Sequence, residues 1–127
     1  MLNEIVVKAI WRQQQVAVKL FPIDHDDNIQ NTEIRIEFQH EVELMTTLIH
    51  ANIISLYGVS MNKRRVGVIM EYCENGSLRS YLIRNNISWQ AKLQILIDIC
   101  KGMQFLHGRD MVHRDLKSKY YPLFFNF

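Results

Sequence analysis

The chain has 127 residues, of which 48% are hydrophobic and 22% charged, a balance typical of a globular protein of ordinary domain size and not of a disordered one. Its 15 basic and 13 acidic residues leave a net charge of +2, which gives no argument for nucleic acid or an anionic membrane surface as a partner. No apolar run approaches the roughly 20 residues of a membrane-spanning helix, and the N-terminus shows no basic-then-apolar signal pattern. The two cysteines form neither a metal-binding spacing nor a disulfide framework, so a cytoplasmic, reducing location is expected.

Two strands are predicted near the N-terminus. They cover Ile5 to Val7 and Val16 to Leu20, and the polar residues 12–15 form the turn between them. In the second strand Ala17 and Lys19 share one face, because successive side chains point to opposite sides of a sheet. The strand alone leaves two interpretations of Lys19: a lysine solvated at the surface, or a functional group.

A helix is predicted from Thr32 to Ile49. Glu41 lies three, four and seven residues before apolar positions, which puts it on or beside the apolar face of this helix. A carboxylate there needs a cation or several hydrogen bonds, and Lys19 is the obvious partner. The alternative is that Glu41 lies at the edge of the stripe and reaches water. The residues at helical spacing on the apolar face are Phe38, Val42, Met45 and Ile49.

The next predicted elements are a hairpin and two helices. The hairpin covers residues 53–60 and 66–72, with its turn at 62–64. Ser77 is expected to cap a short helix that ends at Arg84, and Ser88 a longer helix that ends near Leu106. The longer helix is apolar nearly all round, which is typical of a helix in the middle of a protein.

The segment that organises the chain follows this helix: Met111-Val112-His113-Arg114-Asp115-Leu116-Lys117-Ser118. It carries a carboxylate that can accept a hydroxyl proton, on Asp115, and a cation that can meet a phosphate, on Lys117. His-Arg-Asp-Leu-Lys is the catalytic-loop signature of protein kinases. A short string of this kind also arises by chance, so its weight depends on the segments that precede it.

Those segments occur in the order found in the protein kinase superfamily, which the chain resembles over nearly its whole length. They match the strand that carries the nucleotide lysine, its helix partner, the segment after that helix, the hinge region and the catalytic loop. The matching residues are Val16-Ala17-Val18-Lys19, Phe38-Gln39-His40-Glu41-Val42, His50-Ala51-Asn52-Ile53, Val68-Ile69-Met70-Glu71-Tyr72-Cys73-Glu74-Asn75-Gly76-Ser77-Leu78 and His113-Arg114-Asp115-Leu116-Lys117-Ser118.

The resemblance implies a binding site for ATP. Lys19, held by Glu41, would contact the α and β phosphates of the nucleotide. The other implied residues form the adenine pocket: Val6 and Ala17 against the base, Met70 as gatekeeper, and the backbone of Glu71 and Cys73 at the base edge.

The resemblance also implies the chemistry. Asp115 would orient and deprotonate the substrate hydroxyl, and Lys117 would stabilise the transferring γ-phosphoryl group. Such catalysis is mostly positioning and charge neutralisation. Magnesium is expected to accompany ATP, and the substrate is expected to be a protein, namely a downstream kinase of a mitogen-activated kinase cascade. Neither nucleic acid nor a membrane is implied as a partner.

The fold that follows from the resemblance is α+β. Residues 1–118 are expected to form a partial protein kinase domain. Its small lobe, an antiparallel sheet plus one long helix, would cover about 1–72, and the hinge about 71–76. Residues 77–118 would begin the large lobe, with only its first helices and the catalytic loop. Residues 119–127 match nothing in the family and are expected to be a foreign tail.

Details of the motifs narrow the subfamily. A lysine two residues after the catalytic aspartate, here Lys117, is the serine/threonine pattern. Trp11, the Leu-Tyr-Gly run and the Met-Glu-Tyr hinge resemble the tyrosine-kinase-like group. Within that group, Val7-Lys8-Ala9-Ile10-Trp11-Arg12 resembles the mitogen-activated protein kinase kinase kinases.

Departures from the family pattern lead us to expect no activity from the chain as written. Glu4 stands where the last glycine of the phosphate loop belongs, and Tyr120 where a magnesium-binding asparagine belongs. No Asp-Phe-Gly segment follows Ser118, so no metal ligand is assigned. The alternative function is therefore a catalytically inactive kinase-like fragment, or truncated gene product, that acts only through partner binding and needs a partner or chaperone to cover its apolar helix.

Overall fold

The structure is a computed structural model, and it describes residues 5–23, 29–62 and 64–111. Contacts divide the chain into two compact units. Unit 1 comprises Met1–Thr47 with Ser55–Tyr72, and unit 2 comprises Leu48–Ile54 with Cys73–Phe127. The predicted α+β class is confirmed: unit 1 contains an antiparallel sheet and a long helix, and the described part of unit 2 contains two further helices.

The described part of unit 1 contains a four-stranded sheet. The strand bounds are β1 Ile5–Trp11, β2 Gln14–Pro22, β3 Leu56–Met61 and β4 Arg65–Glu71. The strand order is β1-β2-β4-β3, and all neighbours are antiparallel. The sheet is held mainly by its two central strands, since β4 is buried from Val66 to Met70 and Val16 of β2 is fully buried.

The turn between β1 and β2 is shorter than predicted. Only Arg12 and Gln13 lie in it, with φ of 50° and 65°, and Gln14 already pairs with Trp11. The predicted four-residue turn at 12–15 is therefore wrong. A two-residue turn with both central residues at positive φ has the twist that suits a hairpin, but it usually contains asparagine or glycine. The usual signal was therefore absent from the sequence.

Helix α1 spans Ile29–Thr47 and packs against β2, β3 and β4. It ends before Ile49, which is 84% exposed, so the predicted place of Ile49 on the apolar face is wrong. Two threonines mark the end of the helix. The hydroxyls of Thr46 and Thr47 each donate to a backbone carbonyl three residues earlier, both at 2.7 Å, and hydroxyl side chains that bond locally in this way compete with helical structure.

Gly67 of β4 lets the side chains of β2 lie close to the backbone of β4. A Cβ atom at this position would meet the Cγ1 atom of Val18 at 3.1 Å and the Cδ2 atom of Leu20 at 3.2 Å. Both distances are shorter than ordinary van der Waals contact between carbon atoms. Glycine therefore fits where a larger residue would push β2 side chains away from β4.

Unit 2 contains helices α2, Leu78–Arg84, and α3, Trp89–His107. The predicted caps are confirmed. The Ser77 hydroxyl accepts from the Ser80 amide at 3.2 Å, and the Ser88 hydroxyl accepts from the Ala91 amide at 3.1 Å. Each bond satisfies one of the amides that the first turn of a helix leaves without a helical partner.

The segment Leu48–Ile54 belongs to unit 2, where it packs on the end of α3. The His50 ring lies 4.8 Å from the Phe105 ring, between centroids, and the Arg109 guanidinium lies 3.7 Å from the same Phe105 centroid. The His50 Nδ1 atom accepts from the Asn52 amide at 3.0 Å. The ring contact of His50 with Phe105 thus joins this segment to α3, while the bond between Asn52 and His50 shapes the segment itself.

Only one stripe of α3 is buried, although its sequence is apolar nearly all round. Ile99, Gly102 and Leu106 are buried, whereas a second apolar face is exposed. None of the helices in the described ranges is long and apolar enough to cross a membrane. We call the exposed apolar residues of α3 the outer apolar face: Trp89, Leu93, Leu96 and Ile97.

Candidate nucleotide-binding site

The predicted ion pair between Lys19 and Glu41 is confirmed. The Lys19 Nζ atom lies 3.3 Å from the Glu41 Oε1 atom, and the two side chains are 10% and 25% exposed. A lysine solvated at the surface is therefore excluded. Because a buried ammonium without a partner is strongly destabilising, the carboxylate on α1 is what allows the strand to keep this lysine inside.

Two aromatic side chains in contact with each other lie on one side of the ion pair, Phe21 next to Lys19 and Phe38 next to Phe21. The Lys19 Nζ atom lies 5.3 Å from the centroid of the Phe21 ring, on the same face of β2. Phe21 in turn meets Phe38 of α1 edge to face, with ring centroids 5.8 Å apart. These contacts fix the helix against the strand beside the ion pair, and they add a weak attraction between the ring and the ammonium.

The strand register brings the predicted adenine residues of unit 1 to the face that carries Lys19. Val6 is opposite Lys19, and Ala17 is opposite Met70. Side chains of directly opposite residues lie on the same side of an antiparallel sheet. Ala17 is two residues from Lys19, so all four share this face. Their exposure differs: Met70 is 2% exposed and Val6 47%.

Sequence reasoning missed a second lysine on this face, Lys8. It is opposite Ala17 in the register, and its Nζ atom lies 4.5 Å from the centroid of the Tyr72 ring. Since β2 lies between β1 and β4, the lysine side chain spans β2 to reach the end of β4. The only available signal was the alternation of β1, which places Lys8 and Val6 on one side.

Glu71, the last residue of β4, is bonded to Ser55 in two ways. Its amide donates to the Ser55 carbonyl at 2.9 Å, and its carboxylate accepts from the Ser55 amide at 3.2 Å. The amide of Glu71 is therefore engaged within unit 1, and the backbone contact of Glu71 with adenine stays a prediction. No sequence pattern pointed to Ser55.

The predicted hinge residue Cys73 opens unit 2 with a tight turn. Its carbonyl accepts from the Gly76 amide at 3.2 Å, and Gly76 has φ of +69°, a conformation that favours glycine. Cys73 is half-buried, and neither Cys73 nor Cys100 forms a disulfide.

The predicted catalytic residues Asp115 and Lys117 lie outside the described residues, as do Glu4 and Tyr120. The described chain leads to within four residues of Asp115. There α3 ends in a Schellman motif: the amide of Asp110 donates to His107 at 3.0 Å, and the amide of Met111 donates to Leu106 at 3.1 Å. Asp110 takes the left-handed position, with φ of 56°.

Two lysines on one sheet face suit an anionic ligand. Lys19 lies two residues along β2 from Ala17, and Lys8 lies directly opposite Ala17 on β1. Within the described ranges, no group of three or more histidine, cysteine, aspartate or glutamate side chains is placed to hold a metal. The arrangement can hold a phosphate-bearing ligand against Lys19, with its apolar part on Ala17.

A small antiparallel sheet whose buried lysine is paired with a glutamate from the adjoining helix is the arrangement expected of the small lobe of a protein kinase. The chain belongs to the protein tyrosine and serine/threonine kinase family, which matches residues 4–120.

Curated relatives support this assignment. The chain is 41% identical over 118 residues to probable serine/threonine-protein kinase roco5 of Dictyostelium discoideum, an alignment that covers 90% of this chain and 4% of that protein. It is 32% identical over 116 residues to serine/threonine/tyrosine-protein kinase HT1 of Arabidopsis thaliana, covering 89% and 30%. It is 36% identical over 120 residues to probable serine/threonine-protein kinase gdt2 of Dictyostelium discoideum, covering 91% and 7%. The chain thus spans less than a third of each of these relatives.

Proposed function

We propose that the chain supplies the nucleotide-binding part and the catalytic loop of an ATP-dependent protein serine/threonine kinase. Residues 1–118 form the kinase portion, divided at the hinge about 71–76 as the sequence predicts. The observation that carries the proposal is the ion pair of Lys19 with Glu41, at 3.3 Å, on the same sheet face as Val6, Ala17 and Met70.

The described residues have distinct tasks in this proposal. Lys19 neutralises charge on the α and β phosphates, and Glu41 orients its ammonium towards them. The base packs on Val6 and Ala17, next to the buried gatekeeper Met70. ATP, when bound with magnesium, supplies the phosphoryl group and its leaving group.

The proposed catalytic loop completes the chemistry. Asp115 takes the proton of the substrate hydroxyl, and Lys117 meets the γ-phosphoryl group. Family membership supports ATP and a protein as the substrates, and the names of the relatives support serine/threonine specificity.

The finer assignment is to the mitogen-activated protein kinase kinase kinases. Val7-Lys8-Ala9-Ile10-Trp11-Arg12 resembles the transforming-growth-factor-β-activated kinase most closely. On this proposal the protein substrate is a downstream kinase, and the site of action is the cytoplasm.

Nucleotide binding tests the proposal. The purified chain is titrated with a fluorescent ATP analogue, and ATP is used as competitor. We expect weak binding, because Glu4 brings a negative charge to the phosphate loop, and we expect Lys19→Met to reduce it about tenfold or more. Lys92→Met, at an exposed position of α3, is the matched control. Binding that is absent, or equal in the Lys19→Met and control variants, would refute the proposal.

Phosphoryl transfer is measured separately with radiolabelled ATP, magnesium and a generic protein substrate. We expect none above background, since Tyr120 cannot ligate magnesium as an asparagine amide would. Transfer that disappears in Asp115→Asn would show that the chain is active as written.

The outer apolar face favours a second candidate function, that of an inactive kinase-like module that binds a protein partner or requires a chaperone. Large exposed apolar patches mark interaction sites or drive association. Size-exclusion chromatography with light scattering tests the hypothesis that the chain associates through this face. We expect oligomers or aggregates, and a shift towards the 15.1 kDa monomer when Leu93 and Leu96 are both replaced by Gln. A monodisperse wild-type monomer that binds no dye specific for apolar surface would exclude it.

A further inference from the structure

One contact within unit 1 lies across the sheet face that carries Ala17. The Lys8 Nζ atom lies 4.5 Å from the centroid of the Tyr72 ring, within the range over which an ammonium is attracted to the face of an aromatic ring. Lys8, Ala17 and Tyr72 all belong to unit 1. We call this contact the Lys8–Tyr72 strap.

The sheet register shows which part of the face the strap crosses. Lys8 of β1 is directly opposite Ala17 of β2, and Ala17 is directly opposite Met70 of β4. Neighbouring strands lie about 4.8 Å apart, so the Lys8 side chain has to cross the width of β2 to meet Tyr72, which follows the last residue of β4. The lysine side chain therefore passes over β2 next to Ala17, whose small side chain leaves room for it.

The strap lies at the surface of unit 1, where it can open. Lys8 is exposed, and Ala17 and Tyr72 are half-buried. The attraction between an ammonium and an aromatic ring is weak at an exposed site, because water also solvates the ammonium. Such a contact keeps the lysine on the ring in most molecules, while a minor open state stays within reach.

We propose that the Lys8–Tyr72 strap is an autoinhibitory contact: it occupies the surface next to Ala17 in the free protein, and a flat ring that packs on Ala17 displaces it. This role rests on the proposed nucleotide-binding function, since the base of the nucleotide is the ring expected on Ala17. Only residues of unit 1 take part in it. The strap lowers the affinity for the ring, because only molecules with an open strap can bind it.

Chemical labelling of Lys8 tests the displacement. The rate at which an amine-reactive reagent modifies Lys8 is measured by mass spectrometry, with and without saturating adenosine. A ligand in direct contact with a lysine slows the reaction. A ligand that opens the strap frees the ammonium, so adenosine should speed the reaction about threefold to sixfold. Tyr72→Leu should give the fast rate without adenosine, and adenosine should not raise it further.

The affinity for adenosine, measured by equilibrium dialysis, tests the competition. Adenosine carries the base and no phosphate, so the charge of Lys8 adds no attraction of its own. We expect Lys8→Gln and Tyr72→Leu each to bind adenosine about threefold to sixfold more tightly than the wild type. The double variant should gain no more than either single variant, because each change alone opens the strap.

Two further variants serve as controls. Lys8→Arg keeps a cation that stacks on aromatic rings and should bind adenosine as the wild type does. Arg12→Gln removes a contact of the same kind, in which the guanidinium lies 4.4 Å from the centroid of the Trp11 ring. Because Trp11 follows Lys8 by an odd number of positions on β1, it lies on the other face of the sheet, and the affinity should not change.

Several outcomes would overturn the inference. Adenosine could slow the labelling of Lys8, or the variants without the strap could bind it no more tightly than the wild type. Additive gains in the double variant would also overturn it, because the two residues would then act independently. Failure of the proposed function is distinct: neither the wild type nor the variants would bind adenosine, and the inference would fall as well. Lys8→Gln and Tyr72→Leu remove the same contact from opposite ends, so either one keeps the test valid if the other fails to fold.

Discussion

The two units bury their apolar residues very differently. In unit 1, a central strand is enclosed over five consecutive residues, and even a lysine is kept inside by its carboxylate partner. In unit 2, α3 buries one stripe and leaves a second apolar face in contact with solvent. A hydrophobic side chain of a given type therefore contributes more to the free energy of unfolding in unit 1 than on the exposed face of α3, because the contribution depends on how much of the side chain is buried.

The first prediction concerns the most sensitive contact of unit 1. Glu41→Leu leaves the Lys19 ammonium buried without a partner, and we expect a loss of about 3 kcal/mol in the free energy of unfolding, since breaking a buried pair costs far more than replacing both partners. Urea unfolding followed by circular dichroism measures it.

The double variant Lys19→Met, Glu41→Leu serves as the control and should recover most of the loss. A single variant as stable as the wild type would mean that Lys19 reaches water when Glu41 is absent.

The second prediction compares the two units directly. Val68, with 0% exposure, and Leu96, at 52%, are each replaced by alanine. Removal of buried methyl groups from Val68 should cost about 2 kcal/mol, whereas Leu96→Ala should change stability by less than about 0.5 kcal/mol. Equal losses in thermal or urea unfolding would contradict the difference in burial between the units.

The third prediction concerns the end of α3. Asp110 holds the left-handed position of the Schellman motif, with φ of 56°. Asp110→Gly removes the cost of a side chain there and should stabilise the chain by roughly 0.5–1 kcal/mol, while Asp110→Val should destabilise it by about 1 kcal/mol or more. Thermal unfolding of the two variants measures both effects, and the opposite order would show that the motif does not form in solution.

Much of the fold was readable from local patterns. Ser77 and Ser88 were identified as caps because serine before a helical stretch has a direct physical role at the first turn. Lys19 and Glu41 were paired because each is a charge on an otherwise apolar or small-residue face. The roles predicted for these four residues from their local sequence therefore match their contacts in the structure.

Other features depended on contacts that the sequence does not encode locally. Arg12 and Gln13 form a tight turn without the residues that usually announce one. Lys8 meets Tyr72, and Arg84 meets Asn75, because the fold brings separate elements together. Asp115 and Lys117, on which the predicted catalytic chemistry depends, lie outside the described residues, so their roles stay predictions.

The register of the sheet has a consequence for the order of folding. The pairing of β1 with β2 joins residues that are close in sequence, across a two-residue loop. The pairing of β2 with β4 joins distant residues, such as Val16 and Glu71. Such non-local pairing forms more slowly, because it must first overcome a large loop-closure entropy. The surface that carries Lys19 and Ala17 exists in full only after this late step. We expect pulsed hydrogen exchange during refolding to protect the amides bonded within the β1–β2 and β3–β4 hairpins before those bonded between β2 and β4. A folding intermediate that holds only the separate hairpins would not yet recognise a nucleotide.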